Sequence, residues 1–263
     1  AVLSRGYGRD TFEERVARAS DLQSATEIGD EPRFLAQRLG DVPVLVGPDR
    51  ARLARRARAQ FDADFILLDD GMQHRRLARD VEVVVVDEEV GFGNGQLLPY
   101  GPLRESPQAL GRAHLIWLRS AAVPRDLGLS AEKVVRCRHD ARSLVSPAGA
   151  VTAANDLSGQ RVIAVAGIAR PGSFLAALKT AGAEVRAERL FADHHLFAPE
   201  EVEALATLAT EQGARLVTTE KDLQRLPSTL GAWALRVEVS VVEGRERLAD
   251  VLGLDLRCAP DRP

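Results

Sequence analysis

Short unbroken apolar runs alternate with helix-like segments through the first half of the chain. Residues 1–4 (AVLS) read as the end of a buried strand and lead into a loop of Gly, Arg and Asp. In GDEPRFLAQRLG (29–40), Asp30 suits a helix cap, Pro32 suits the first turn, and Gly40 ends the helix. VPVLVG (42–47) is a short strand and ARLARRARAQF (51–61) a basic helix, followed by unbroken apolar runs at 65–68 and 81–86. Such runs with helices between them mark parallel strands covered on both faces. The segment 91–106 (GFGNGQLLPYGPLRES) carries no period and reads as a loop, and 114–118 as one more strand.

Around 133–157 the pattern becomes that of a hairpin, with SPAGA (146–150) as its turn, which makes this stretch an inter-domain connector. A second βαβ pattern follows: a strand at 161–167, a helix over 171–181, a strand at 184–190, a helix opened by Pro199 and closed by Gly213, and a strand at 215–219. The expected fold is α/β, with a mostly parallel sheet domain over 1–132, the hairpin linker over 133–157 and a smaller α/β domain over 158–263. In both halves the polar residues of interest follow strands, the edge at which open α/β sheets bind ligands.

Composition adds a few constraints. With 263 residues, 45% hydrophobic and 28% charged, the chain is long enough for two cores. A formal net charge of −3, from 35 basic and 38 acidic residues, gives no reason to expect a nucleic-acid partner. The only lysines are Lys133, Lys179 and Lys221, so nearly all positive charge is arginine. Cys137 and Cys258 fit no metal-ligand spacing and suit a reducing compartment. No apolar stretch approaches the roughly 18 residues that span a bilayer. The chain begins at Ala1 and its only methionine is Met72, which leads to the expectation of a fragment cut inside a domain.

The candidate chemistry starts at FILLDDGMQH (65–74), an apolar run that stops at two adjacent carboxylates. A parallel strand ending in Asp69-Asp70 delivers rigidly held carboxylates to the sheet edge, where they can hold Mg²⁺ beside a nucleotide phosphate as a Walker B strand does. The phosphate-binding loop GxxxxGK[ST] that normally accompanies such a strand is absent from these 263 residues, since no lysine follows a glycine. The expectation is that this loop lies upstream of Ala1. GDEP (29–32) supplies a second carboxylate pair, for which helix capping by Asp30 is the simpler explanation. FADHHLF (191–197) sets Asp193, His194 and His195 between a strand and a helix, as a base, a proton relay or a metal site. VTTEKD (217–222) places a polar cluster after another strand.

The order of SRGYGR (4–9), GDEP (29–32), VGPDR (46–50), ILLDDGMQH (66–74), GFGNGQLLPYGPLRES (91–106), AGIARPGSF (166–174), FADHHLF (191–197) and VTTEKD (217–222) resembles the tetraacyldisaccharide 4′-kinase family, the lipid A 4′-kinases. That resemblance implies a P-loop-NTPase-like kinase that moves the γ-phosphoryl of MgATP to the 4′-hydroxyl of tetraacyldisaccharide 1-phosphate at the cytoplasmic face of an inner membrane. It implies Asp30 as the catalytic base and His194 as its partner, with Asp69 and Asp70 on Mg²⁺. Around the nucleotide it implies Glu31, Arg104, Glu105, Thr219, Glu220 and Lys221, and around the acceptor Arg5, Tyr7, Arg50 and His74. Family members carry an N-terminal membrane-associating helix and a Walker A loop ahead of the SRGY segment; neither is in this chain, so little activity is expected of these residues alone.

Two rivals come from other classes. A dinuclear metal site for phosphoester hydrolysis would use the carboxylates and the DHH sequence, with His74 as a further ligand. A nucleotide- or lipid-binding remnant would fold without turnover.

Overall fold

A computed structural model describes residues 1–7, 9–18, 25–120 and 126–254; Cys258 lies outside them. In chain order the elements are β1 (Val2–Ser4), β2 (Arg15–Ala17), α1 (Ala25–Ile28), α2 (Asp30–Leu39), β3 (Val44–Val46), α3 (Arg50–Phe61), β4 (Leu67–Leu68), β5 (Val83–Asp87), β6 (Leu115–Arg119), β7 (Val134–Val145) and β8 (Val151–Ala153). Then come β9 (Arg161–Ala166), α4 (Pro171–Thr180), β10 (Glu184–Leu190), α5 (Pro199–Gln212), β11 (Arg215–Thr219), α6 (Glu220–Leu223), β12 (Trp233–Glu243) and α7 (Arg245–Leu252).

The chain forms two compact units. The first takes residues 1–77 and 141–237. One of its sheets has the order β2-β3-β1-β4, with β1 parallel to β3 and β4, and β2 antiparallel to β3. In its other sheet β10, β9, β11 and β12 are parallel neighbours, and the end of β7 turns back antiparallel to β8 through 146–150. The second unit takes residues 78–140 and 238–263, and in it β5, β6 and the start of β7 run parallel.

Apart from β8, whose residues are exposed or half-buried, each strand of the first unit places side chains in a buried core. Leu3, Leu45, Leu53 and Ala57 bury one face of the smaller sheet against α3. Val162, Ala164 and Ala166 face Phe174 and Leu178 of α4, while the alternate residues Ile163 and Val165 face Leu205 of α5. That alternation leaves β9 apolar at every position from Val162 to Ala166 and covered on both faces, as the unbroken run implies. In the second unit Val86, Ile116, Leu118 and Val134 form the core.

Three expectations need correction. Asp30 does not cap α2: Gly29 occupies the cap position with φ 91°, and no side chain caps the helix. A Cβ at Gly29 would come within 3.1 Å of the Tyr7 carbonyl, so the close approach of the SRGY loop requires glycine there. The apolar runs at 65–68 and 81–86 are not covered on both faces, because Phe65, Leu67, Val83 and Val85 are exposed. Both runs form short strands, β4 at the end of its sheet and β5 with β6 as its strand partner. The element reading also stops at residue 219, whereas α6, β12 and α7 follow.

Candidate active site

The parallel strands β1, β3 and β4 end side by side, which gathers their C-terminal residues at one edge. The Ser4 hydroxyl donates to Asp69 Oδ2 at 2.9 Å, and the Asp69 N–H donates to the Leu3 carbonyl at 2.9 Å. Asp70 follows in the left-handed region at φ 50°, a conformation Asp tolerates better than most residues. His74 closes the next turn, its N–H bonded to the Gly71 carbonyl at 2.9 Å.

Beyond β3, Asp49 caps α3 by accepting from the Arg52 N–H, and this fixes Arg50 as the first helical residue. Arg50 is buried. Burial, and then the charge of Arg5, push its guanidinium down from the usual value, while Asp70 and Asp69 oppose them. Arginine stays protonated in spite of that shift, so Arg50 brings a positive charge to the carboxylate pair. Two adjacent anions are thus partly compensated by the protein itself, which the sequence reading did not foresee.

The second sheet of the same unit gathers three motifs in the same way. Gly167 follows β9, residues 191–195 follow β10, and Thr219 ends β11 with Glu220 to Asp222 after it. His194 lies at φ 59°, and its N–H donates to the Gly167 carbonyl at 3.2 Å. Its ring Nδ1 meets Asp30 Oδ2 at 3.1 Å, which joins the GDEP and DHH segments, 164 residues apart in sequence. Asp30 is nearly buried and His194 partly exposed, with side-chain exposures of 12% and 40%. Tyr7 is exposed and leans near this pair, its ring centroid 6.4 Å from that of His194. Asp70 and His194 are two of the three non-glycine residues with positive φ among the described residues, and such conformations cluster at functional sites.

Some residues assigned to the nucleotide have protein partners. Lys221 Nζ donates to Glu31 Oε1 at 2.6 Å. Both are partly exposed, and such pairs contribute only about 0–1 kcal/mol, so the pair can separate at little cost. Glu220 is held more firmly, accepting from Arg38 at 3.0 Å and Arg236 at 2.8 Å. Thr219 caps α6, its hydroxyl accepting from the Asp222 N–H. Arg104 and Glu105 belong to the other unit, where Glu105 pairs with Arg112 at 2.9 Å. Arg5 is exposed at the end of β1.

Two buried residues had no role in the sequence reading. Asp222 is fully buried and accepts from the Gly167 N–H at 3.0 Å and the Thr219 hydroxyl at 2.8 Å. Arg225, 2% exposed, pairs with it. Removing one partner from such a buried pair costs about 3–5 kcal/mol, because the other charge is left without compensation. The usable signal was the acid-to-arginine spacing of three residues after a threonine cap, Thr219-x-x-Asp222-x-x-Arg225.

The second histidine of DHH turns elsewhere. His195 Nε2 meets Glu201 Oε2 at 2.8 Å, and its ring stacks on Phe191 at 4.7 Å. Glu201 also accepts from the Ala198 N–H at 2.8 Å at the start of α5. That backbone bond first, and the histidine second, hold the Glu201 carboxyl below its ordinary range. A lowered folded-state pKa contributes stability above the unfolded value and loses it as pH falls through the folded one. Glu201→Gln is therefore expected to lower the thermal midpoint at neutral pH, and the difference from the parent should shrink once the medium is acidic enough to protonate Glu201. A difference that stays constant down to that acidity would show that the charge does not matter.

With that geometry in place, comparison with known proteins is specific. A family model described as tetraacyldisaccharide-1-P 4′-kinase matches residues 1–254. A protein named tetraacyldisaccharide 4′-kinase from Anaeromyxobacter dehalogenans (strain 2CP-C) is 46% identical over 275 residues, covering 96% of this chain and 71% of the relative. Another of that name from Bradyrhizobium diazoefficiens is 40% identical, covering 88% of this chain and 66% of the relative. Among solved structures, an "apo" form of LpxK from Aquifex aeolicus in complex with ATP superposes with a TM-score of 0.79 at 28% identity, over 96% of this chain and 77% of that one.

Proposed function

Since the chain belongs to the tetraacyldisaccharide-1-P 4′-kinase family, we propose that it carries the proton-accepting and metal-binding groups of an ATP-dependent lipid A kinase, acting on the 4′-hydroxyl of tetraacyldisaccharide 1-phosphate. The observation that carries the reading is the Asp30–His194 pair at 3.1 Å. Asp30 accepts the proton of the sugar hydroxyl as that oxygen bonds to the γ-phosphorus and ADP leaves. His194 holds the carboxylate in the orientation this transfer needs. A positioned base of this kind contributes about 10²–10⁴-fold.

Asp69 and Asp70 would hold Mg²⁺. They fit it because the donors gathered there, the two carboxylates and the Ser4 hydroxyl, are hard oxygens, and Mg²⁺ in phosphoryl-transfer sites takes one or two carboxylates and fills its remaining positions with phosphate and water. The ion supplies charge neutralisation for the phosphates. Arg50 balances the same carboxylates. Lys221 and Glu31, bound to each other at a partly exposed position, are proposed to open toward the nucleotide with Thr219 and Glu220. Arg5, Tyr7 and His74 are assigned to the acceptor sugar and its phosphate. The base and the metal-binding carboxylates thus come from the segment 1–132 and the histidine from 158–263, on either side of the hairpin at 133–157.

Among the described residues no helix is long and apolar enough to cross a membrane. The acceptor is itself a membrane lipid, so catalysis is proposed to take place at the cytoplasmic face of the inner membrane with the protein bound peripherally. The hydrolase rival is disfavoured by where the DHH histidines point: His194 to Asp30, and His195 to Glu201. The test is to incubate the full-length gene product with radiolabelled γ-phosphoryl ATP, Mg²⁺ and tetraacyldisaccharide 1-phosphate in detergent micelles. Label is expected in the lipid. Release of inorganic phosphate with no labelled lipid would overturn the reading.

A further inference from the structure

Arg225 follows α6 and is enclosed on every side, with its side chain 2% exposed. Nη2 donates to the Gly167 carbonyl at 3.1 Å and pairs with Asp222, whose carboxylate is itself locked by the Gly167 N–H and the Thr219 hydroxyl. These bonds anchor the guanidinium through Nη2. Its Nε and its other terminal nitrogen, Nη1, make no hydrogen bond although buried, and Nη1 stands 3.8 Å from Asp30 Oδ2. A buried donor without an acceptor is costly and calls for an explanation. The anionic oxygen in front of it supplies one: a shift of about 1 Å would convert this contact into a charge-assisted hydrogen bond.

Two further facts connect Arg225 to the proposed chemistry. His194 Nδ1 meets the same oxygen of Asp30, Oδ2, at 3.1 Å. The His194 N–H also donates to the Gly167 carbonyl, the oxygen that Arg225 Nη2 uses. One backbone carbonyl therefore sets both groups that flank Asp30. Among the described residues no hydrogen bond reaches the second carboxylate oxygen, Oδ1.

We infer that Arg225 is a positioning residue for the reaction, a buried guanidinium that clamps Asp30 Oδ2 together with His194 and leaves Oδ1 as the atom that accepts the proton. The inference rests on the reading of Asp30 as the base. Proton transfer needs one carboxylate oxygen in one place, and a misplacement of about 1 Å can cost roughly 10²-fold in rate. Arginine suits this task because its rigid fork can reach Gly167, Asp222 and Asp30 at once, whereas lysine offers a single flexible ammonium. The TTEKD segment and Arg225 beyond it thereby gain a common role: the threonine and the aspartate hold the arginine that holds the base.

The test measures kcat and both KM values for Arg225→Gln, Arg225→Lys, Asp30→Asn and the Asp30→Asn/Arg225→Gln pair in the full-length gene product. Arg225→Gln is expected to lower kcat about 10–10²-fold, with KM for ATP and for the disaccharide held within about twofold. Arg225→Lys should keep the fold and still lose about tenfold in kcat. In the Asp30→Asn background, Arg225→Gln should cost nothing further. A folded Arg225→Gln or Arg225→Lys protein with the parent's kcat would overturn the inference, as would full multiplication of the two losses in the double variant. Should the glutamine variant fail to fold by thermal melt, the lysine variant decides; if neither folds, Arg225 is a folding element and the assignment falls. Asp30→Asn with turnover intact would instead sink the base reading itself, so the two failures can be told apart.

Discussion

Asp30→Ala in the full-length gene product is expected to lower kcat about 10²–10⁴-fold, the range a positioned general base contributes, while the helix that carries it survives. The second half of that expectation follows from the cap. Gly29 and not Asp30 closes the start of α2, so the substitution removes no capping bond. Within the helix it removes only a favourable charge in the first turn, about 0.3–1 kcal/mol, and outside the helix it removes the contacts of Oδ2 with His194 and Arg225. His194→Ala alone should also be severe, because the imidazole is the group within hydrogen-bond distance of the Asp30 carboxylate. Combined with Asp30→Ala it should add less than about threefold, since groups that act as one unit lose their contribution together. A double variant whose loss equals the product of the two single losses would mean that His194 acts on the substrate or nucleotide independently of Asp30.

Much of the second βαβ unit could be read from the chain because its elements carry local stops and unambiguous runs. The strand at Arg161–Ala166 is apolar from its second residue on, and α5 ends where Gly213 takes φ 52°, a conformation that favours glycine. β12 escaped for the opposite reason. Its apolar run stops at Leu235, after which Val237 and Val239 alternate with Arg236, Glu238 and Ser240, so most of Trp233–Glu243 reads as a strand only by its period of two. The exposure of Val85 and Leu67 could not be read at all. An apolar run states that a strand is able to be covered, and sheet order decides whether it is.

The candidate site divides along similar lines. Asp69, Asp70 and His194 stood out because each follows a strand, and parallel strands must deliver their ends to one edge, whereas the strand end at Thr219 was a weak signal by itself. Asp30 was ambiguous, since an aspartate at a helix start is ordinarily a cap, and its release from that duty depended on the positive φ of Gly29. The spacing of Asp222 and Arg225 was legible, but the burial of that pair and its meeting with Gly167 were not, for a third reason. The three residues meet because β9 and β11 are parallel neighbours, a pairing between residues far apart in sequence, and nothing local marks Arg225 as buried.

Asp69→Asn and Asp70→Asn are expected to lower turnover at about millimolar Mg²⁺ by roughly 10²–10³-fold, the usual loss when one preorganised electrostatic group is removed from a reacting centre. Asparagine keeps the shape of each side chain, and it also tolerates the left-handed conformation that Asp70 adopts at φ 50°. The Ser4 hydroxyl can still donate to the amide oxygen at position 69, so the link between β1 and β4 is retained and the melting temperature should change little. Two explanations of the loss then compete. If the carboxylates serve the metal, raising Mg²⁺ restores part of the activity, because a weakened site is refilled by mass action. If they serve only to balance Arg50, whose guanidinium feels both charges, added Mg²⁺ has nothing to repair. Titrating activity against Mg²⁺ for each variant separates the two, and a loss that does not respond to the ion across the titration would remove Asp69 and Asp70 from the metal site and leave them as partners of Arg50.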